Sequence, residues 1–123
     1  MVRFVVCGMG KEHIARLVRE TAKDAADARV MSDFEAAASI KSGAADYYIG
    51  ACQSGAGGAL AVAIAMLGWD QVVRLSGVGS TGIDESQVVT AISNGKRAFG
   101  IAHSHVELAV PVIVRAVLAN LPE

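Results

Sequence analysis

Short apolar runs alternate along this chain with stretches of helical period. Residues 2–7 are continuously apolar apart from Arg3 and read as a first strand. In residues 11–23, Ile14, Leu17 and Val18 recur at the spacing of one helix face. A short second strand is expected at 29–31. Ser32 with Glu35 three positions on has the form of a capping box, and Gly43 ends the helix it opens. Residues 47–52 give a third strand, 57–67 a wholly apolar helix and 71–75 a fourth strand. Asp84 is placed to cap the next helix, with Gln87 in its third position. Residues 97–102 give the fifth strand. Ser104 and Glu107 form a second capping box at the start of a last helix that runs toward Asn120, with Pro111 placed to kink it.

Five strands alternating with five helices predict an α/β fold of three layers, with helices on both faces of a five-stranded parallel sheet. The expected strand order is the flavodoxin-like 2-1-3-4-5. No linker, repeat or low-complexity segment divides the chain, so residues 1–123 read as a single α/β domain.

Composition adjusts this picture in three places. Charged residues are 19% of the chain, below the usual quarter, which suggests surface hidden in a homodimer or larger homo-oligomer. An abundance of small residues such as Ala and Gly accounts for the same figure without assembly. The net charge is -1 and the eleven basic residues are scattered among few aromatics, so nucleic acid is not an expected partner. The first apolar stretch is too short for a secretory leader, and two cysteines without one suggest reduced thiols in the cytoplasm. The most apolar window, 55–68, is too short to span a bilayer and reads as a buried helix, so no membrane is expected as a partner.

Parallel sheets bind ligands at the carboxyl ends of their strands, at the point where strand order reverses, here between strands one and three. Cys7, Gly8 and Gly10 follow the first strand, Ser32 and Asp33 the second, and Ser76, Ser80 and Thr81 the fourth. His103, Ser104 and His105 follow the fifth. The strongest local signal is the run Cys52, Gln53, Ser54, Gly55, Ala56, Gly57, Gly58. There a strand ends, glycines admit a ligand to the backbone, and a helix begins, exposing main-chain N–H groups and the positive end of its dipole. The alternative is glycines that serve only tight strand–helix packing. A thiolate at Cys52 is favoured by that helix start and suits a general base or nucleophile. Cys7 reads as a packing residue, with Gly8 and Gly10 as a second anion cradle. His105 is a candidate proton-transfer group and His103 a ligand contact. No spacing of Cys, His or Asp matches a metal site, and no cofactor is implied. Strands one and three being neighbours, the α-carbons of Cys7 and Cys52 are expected near disulfide range. Tyr47 and Tyr48 are expected to pack in the sheet, and Trp69 to plug a helix end.

Two resemblances follow from particular residues. Glu35-Ala36-Ala37, Ile40 to Gly43, Asp46 to Cys52, Gly55-Ala56-Gly57, Ala98-Phe99-Gly100 and His105-Val106-Glu107 together resemble the bacterial YhfU-like family of small proteins without assigned function. Asp46 through Ala65 is similar to the type-B ribose-5-phosphate isomerases, in which a strand leads through a cysteine and a glycine loop into an Ala-rich helix. That resemblance implies a proton-abstracting base at Cys52 and a sugar-phosphate loop at Gly55 and Gly57. Gln53 and Ser54 depart from that family's Gly-Thr, and Cys7-Gly8 stands where it has Asp-His. More faintly, Cys7-Gly8-Met9-Gly10 resembles the phosphocysteine loop of phosphotransferase-system IIB components. The functional expectation is a protein binding a small anionic, phosphorylated or carboxylated metabolite, and an enzyme if Cys52 acts as base. The alternatives are a phosphocysteine carrier using Cys7, or a non-catalytic assembly subunit.

Overall fold

The computed structural model describes residues 1–53, 57–75 and 83–121. Strands β1 (Val2–Gly8), β2 (Ala26–Val30), β3 (Tyr47–Cys52), β4 (Val72–Arg74) and β5 (Ala98–Ala102) alternate with helices. These are α1 (Lys11–Ala22), α2 (Asp33–Ser42), α3 (Gly58–Leu67), α4 (Glu85–Ser93) and α5 (Val106–Ala119). All four strand pairings are parallel, in the order β2-β1-β3-β5-β4.

The three-layer α/β architecture is the expected one, but the last two strands exchange places. The expected order 2-1-3-4-5 put β4 inside and β5 at the edge. Every residue of β5 is buried, so it needs a partner on both sides and lies between β3 and β4. The three-residue β4 carries the exposed Arg74 and, among the described residues, pairs only with β5, as suits an edge. Length and burial outweigh the tendency of consecutive strands to be neighbours.

Side chains of each strand alternate between two cores. Phe4, Val6, Ile49, Phe99 and Ile101 face α1, α4 and α5, where Ile14, Val18, Val88, Val110 and Ile113 meet them. Val5, Cys7 and Tyr48 face α2 and α3, meeting Ala36, Ile40, Ala59, Leu60 and Ala63. Small residues bring α3 close to the sheet. A Cβ at Gly50 would stand 2.8 Å from that of Ala59 and 2.9 Å from Tyr48 Cε1. The Tyr48 hydroxyl donates to the Ala59 carbonyl at 2.5 Å, tying strand to helix through the core.

Local signals hold where they are chemical. Ser32 Oγ accepts from Glu35 N–H, and the Glu35 carboxylate returns to Ser32, completing the capping box of α2. Asp84 Oδ1 accepts from Ser86 N–H at the start of α4. β2 begins three residues before the expected 29–31, because Ala26 and Ala28 supply the buried positions that pair with β1. Trp69 does not plug a helix end. It is 72% exposed in a 3-10 turn after α3. Among the described residues, no helix is long and apolar enough to cross a membrane.

Candidate functional site

At the carboxyl edge of the sheet the β1–α1 connection folds back over the end of β3. Gly8 and Gly10 adopt φ of 86° and 70°, the left-handed region that favours glycine. The turn lets Met9 N–H donate to the Ala51 carbonyl at 2.8 Å. A Cβ at Gly8 would lie 2.0 Å from that same oxygen, so no side chain fits. A Cβ at Gly10 would lie 3.0 Å from His103 Nε2, which places the imidazole against this loop.

Cys52 pairs in register with Ala102, so His103 follows immediately beside the end of β3. The half-buried Cys52 sulfur accepts the main-chain N–H of Gly57 at 2.9 Å. Gly57 is the residue before α3, so the sulfur receives one of the N–H groups that a helix start leaves without an internal partner. Such a donor suits a sulfur that carries negative charge. A Cβ at Gly57 would stand 3.2 Å from Cys52 Sγ, so a side chain at this position would crowd the thiol. Gln53 is exposed beside it. Ser54, Gly55 and Ala56 lie outside the described residues, as do Ser76, Ser80 and Thr81 of the β4–α4 connection.

The two histidines after β5 differ. His103 is exposed and touches the Gly10 loop. His105 is half-buried, and its Nδ1 has no hydrogen-bond partner among the described residues. The expected capping box of Ser104 and Glu107 does not form. Residues His103–His105 make a 3-10 turn, α5 starts at Val106 without a side-chain cap, and Glu107 turns to another helix. Its Oε1 lies 2.5 Å from His13 Nε2 in the first turn of α1.

Asp33 also joins the edge. It opens α2 directly after β2, and its Oδ2 would be 3.8 Å from a Cβ at Gly58. It thus stands across the two glycines at the start of α3 from Cys52. Its position after a strand marked it in the sequence, but no spacing linked it to residues 57 and 58. Nothing local announced His13 either, because its partner is 94 positions away.

Cys7 occupies a different environment. It is fully buried, and that burial, aided by the neighbouring Asp33 and opposed by a hydrogen bond with Tyr48, pushes its thiol up to about 12. A phosphocysteine carrier requires an exposed, ionisable sulfur, so the geometry speaks against that alternative. The two cysteines are also further apart than expected. Cys7 pairs with Gly50, leaving Cys52 two residues further along β3. At about 3.3 Å per residue and about 4.8 Å between strands, the α-carbons stand roughly 8 Å apart, beyond the bridging limit of about 7 Å. Among the described residues, no group of three or more His, Cys, Asp or Glu side chains is gathered to hold a metal ion.

The fold matches solved ribose-5-phosphate isomerases of type B. The enzyme from Giardia lamblia superposes with a TM-score of 0.70 at 19% identity, over 100% of this chain and 98% of that one. The one from Trypanosoma cruzi gives 0.70 at 14% identity, over 94% and 83%. The one from Thermotoga maritima gives 0.62 at 18%, over 97% and 87%. At these identities the likeness is one of fold. In sequence, the uncharacterised protein YhfU of Escherichia coli K12 is 39% identical over 114 residues, covering 93% of this chain and 97% of that protein. YhfU of Shigella flexneri aligns with the same identity and coverage. Residues 2–117 match a family model throughout, and the chain belongs to that family, described as protein of unknown function DUF2620.

Proposed function

We propose that this protein is an enzyme acting on a small sugar phosphate or related anionic metabolite, with Cys52 as its proton-transferring base. The observation that carries the reading is the half-buried Cys52 sulfur held by the Gly57 N–H where α3 begins. A thiolate there takes a proton from a carbon beside a carbonyl, leaving an enediolate, and returns it to the neighbouring carbon. The anion is held over residues 52–57, with the Gly8–Gly10 loop and His103 closing the other side and Gln53 at the rim. His105 is the candidate for moving the hydroxyl proton, its Nδ1 being without a partner among the described residues. Asp33 supplies a carboxylate for a substrate hydroxyl. The fold shared with enzymes named for ribose 5-phosphate supports this substrate class.

The test is a panel of sugar phosphates offered to the protein in heavy water. The expected result is deuterium incorporated at the carbon beside the carbonyl, and its loss in Cys52→Ser, whose hydroxyl is a far weaker base. A ligand at a hundred times its dissociation constant adds about 2.7 kcal/mol of stability. That raises the melting temperature by several degrees, in the parent and in Cys52→Ser alike. Absence of both exchange and a melting shift across the panel overturns the reading.

A second reading, assembly without catalysis, draws on α3. That helix has no polar residue, yet Ala61 and Ala65 are exposed, and the nearby α2 exposes Phe34. A helix apolar on all sides is ordinarily covered. A homodimer is compatible with both readings.

A further inference from the structure

A cavity of about 610 Å³ opens at the opposite end of the sheet, by the amino ends of β1, β3 and β5. Its volume lies within the range of about 300–1,000 Å³ typical of small-molecule sites. Val2, Ala25, Leu118 and Leu121 give it apolar walls, while Tyr47 and Arg97 bring polarity. The Tyr47 ring is fixed from behind, stacked on Phe99 at 6.2 Å and tilted against Phe4 at 5.8 Å. Arg97 is fixed too. Its Nε donates to the Asp46 carbonyl and its Nη2 to the Ala45 carbonyl, each at 2.9 Å.

Both groups have donors to spare. Among the described residues neither the Tyr47 hydroxyl nor Arg97 Nη1 has a hydrogen-bond partner. The one acid in the described lining, Asp46, is paired with Arg3 at 3.1 Å and also faces Arg97, so a single carboxylate is shared by two guanidiniums and positive charge is left in excess. A rigid aromatic ring, aliphatic walls, a guanidinium held in place by the main chain and a phenol donor form a fixed set. A planar carboxylate matches the guanidinium, and an apolar body matches the walls.

We propose that this cavity is a second binding site, separate from the Cys52 edge, for a small carboxylic acid with a branched or aromatic body. Tyr47 begins β3 and Cys52 ends it, so the two sites occupy opposite ends of one strand. The proposal does not depend on the chemistry assigned to Cys52.

The experiment is a nuclear magnetic resonance titration of the full chain with phenylacetate and 4-methylvalerate, and with phenylacetamide as the uncharged control. Saturable shifts are expected at the amides of Val2, Ala25, Tyr47 and Leu118, with the amide control about tenfold weaker. Arg97→Met is expected to lower affinity at least about tenfold. Because Arg97 also holds two carbonyls, Tyr47→Phe is measured beside it. That variant keeps the ring and its stacking, and a smaller loss is expected from the missing hydroxyl. Lack of saturation by about 10 mM, shifts confined to the carboxyl edge, or equal binding of acid and amide overturns the proposal.

Discussion

Cys7 and Cys52 lie near the ends of neighbouring strands and face the same side of the sheet, yet their sulfurs differ in burial. Cys7 is sealed beneath α2 and α3 and its thiol is pushed up to about 12, whereas Cys52 is half-buried at a helix start. Brief alkylation of the native protein near pH 8 should therefore modify Cys52 alone. Cys7 should take the reagent only after denaturation, as peptide mass spectrometry would record. Labelling of Cys7 at the rate of Cys52 would contradict the buried placement. Cys52, Gly57, Gly8 and Gly10 were readable in the sequence because a strand end followed by glycine has a local physical meaning. His103 joins them through the pairing of Cys52 with Ala102. Asp33 was marked by its place after β2, but its approach to Gly58 and the His13–Glu107 pair were not readable, since each depends on contacts between elements far apart in the chain. For Glu107 a local rule pointed the wrong way. Ser104 stood at capping distance, but the 3-10 turn at His103–His105 moved the helix start past it.

Among the elements, α3 and β3 form the tightest contact that the site depends on. Gly50 has room for no side chain, with Ala59, Tyr48 and Cys7 around the position a Cβ would take. Gly50→Ala should therefore push α3 away from the sheet. Overpacking of this kind costs about 1–3 kcal/mol, which denaturant unfolding would measure. Because Gly57 directly precedes α3, the same displacement should lengthen the Gly57–Cys52 contact and slow alkylation of Cys52. An unchanged midpoint would show that the helix has slack to accommodate a methyl group. The elements themselves were legible from period and caps: Ser32 with Glu35 forms its box, and Asp84 caps α4, though it accepts from Ser86 N–H while the Gln87 side chain turns to the Arg74 carbonyl. Their neighbours in the sheet were not. Nothing in residues 72–74 or 98–102 taken singly says which strand is inside. The fully apolar β5 and the Arg74 of β4 answer that question only when the two are compared.

For the whole molecule, the low charge fraction and the partly exposed apolar α3 lead to the same expectation. Sedimentation at micromolar concentration should report a two-fold dimer, the commonest closed assembly. Ala61→Glu, on the exposed face of α3, should shift it to monomer without lowering the helical signal in circular dichroism. A parent protein that sediments as a monomer removes both the dimer and the assembly reading. A dimer untouched by Ala61→Glu places the interface elsewhere.

The position of β5 bears on how the chain is made. Synthesis releases β4 well before β5, but among the described residues β4 has no pairing partner other than β5. Until residue 102 has emerged and inserted, the newborn chain holds a three-stranded sheet with Tyr48 and Ile49 on an open border and β4 adrift. A strand that arrives late and closes the middle of a sheet delays completion and exposes apolar backbone in the meantime. Ribosome-bound chains stopped just before residue 97 should therefore stay sensitive to protease beyond β3, and protection should appear abruptly once β5 and α5 clear the exit tunnel. Gradual protection, gained in step with each released element, would mean that β4 finds a temporary partner.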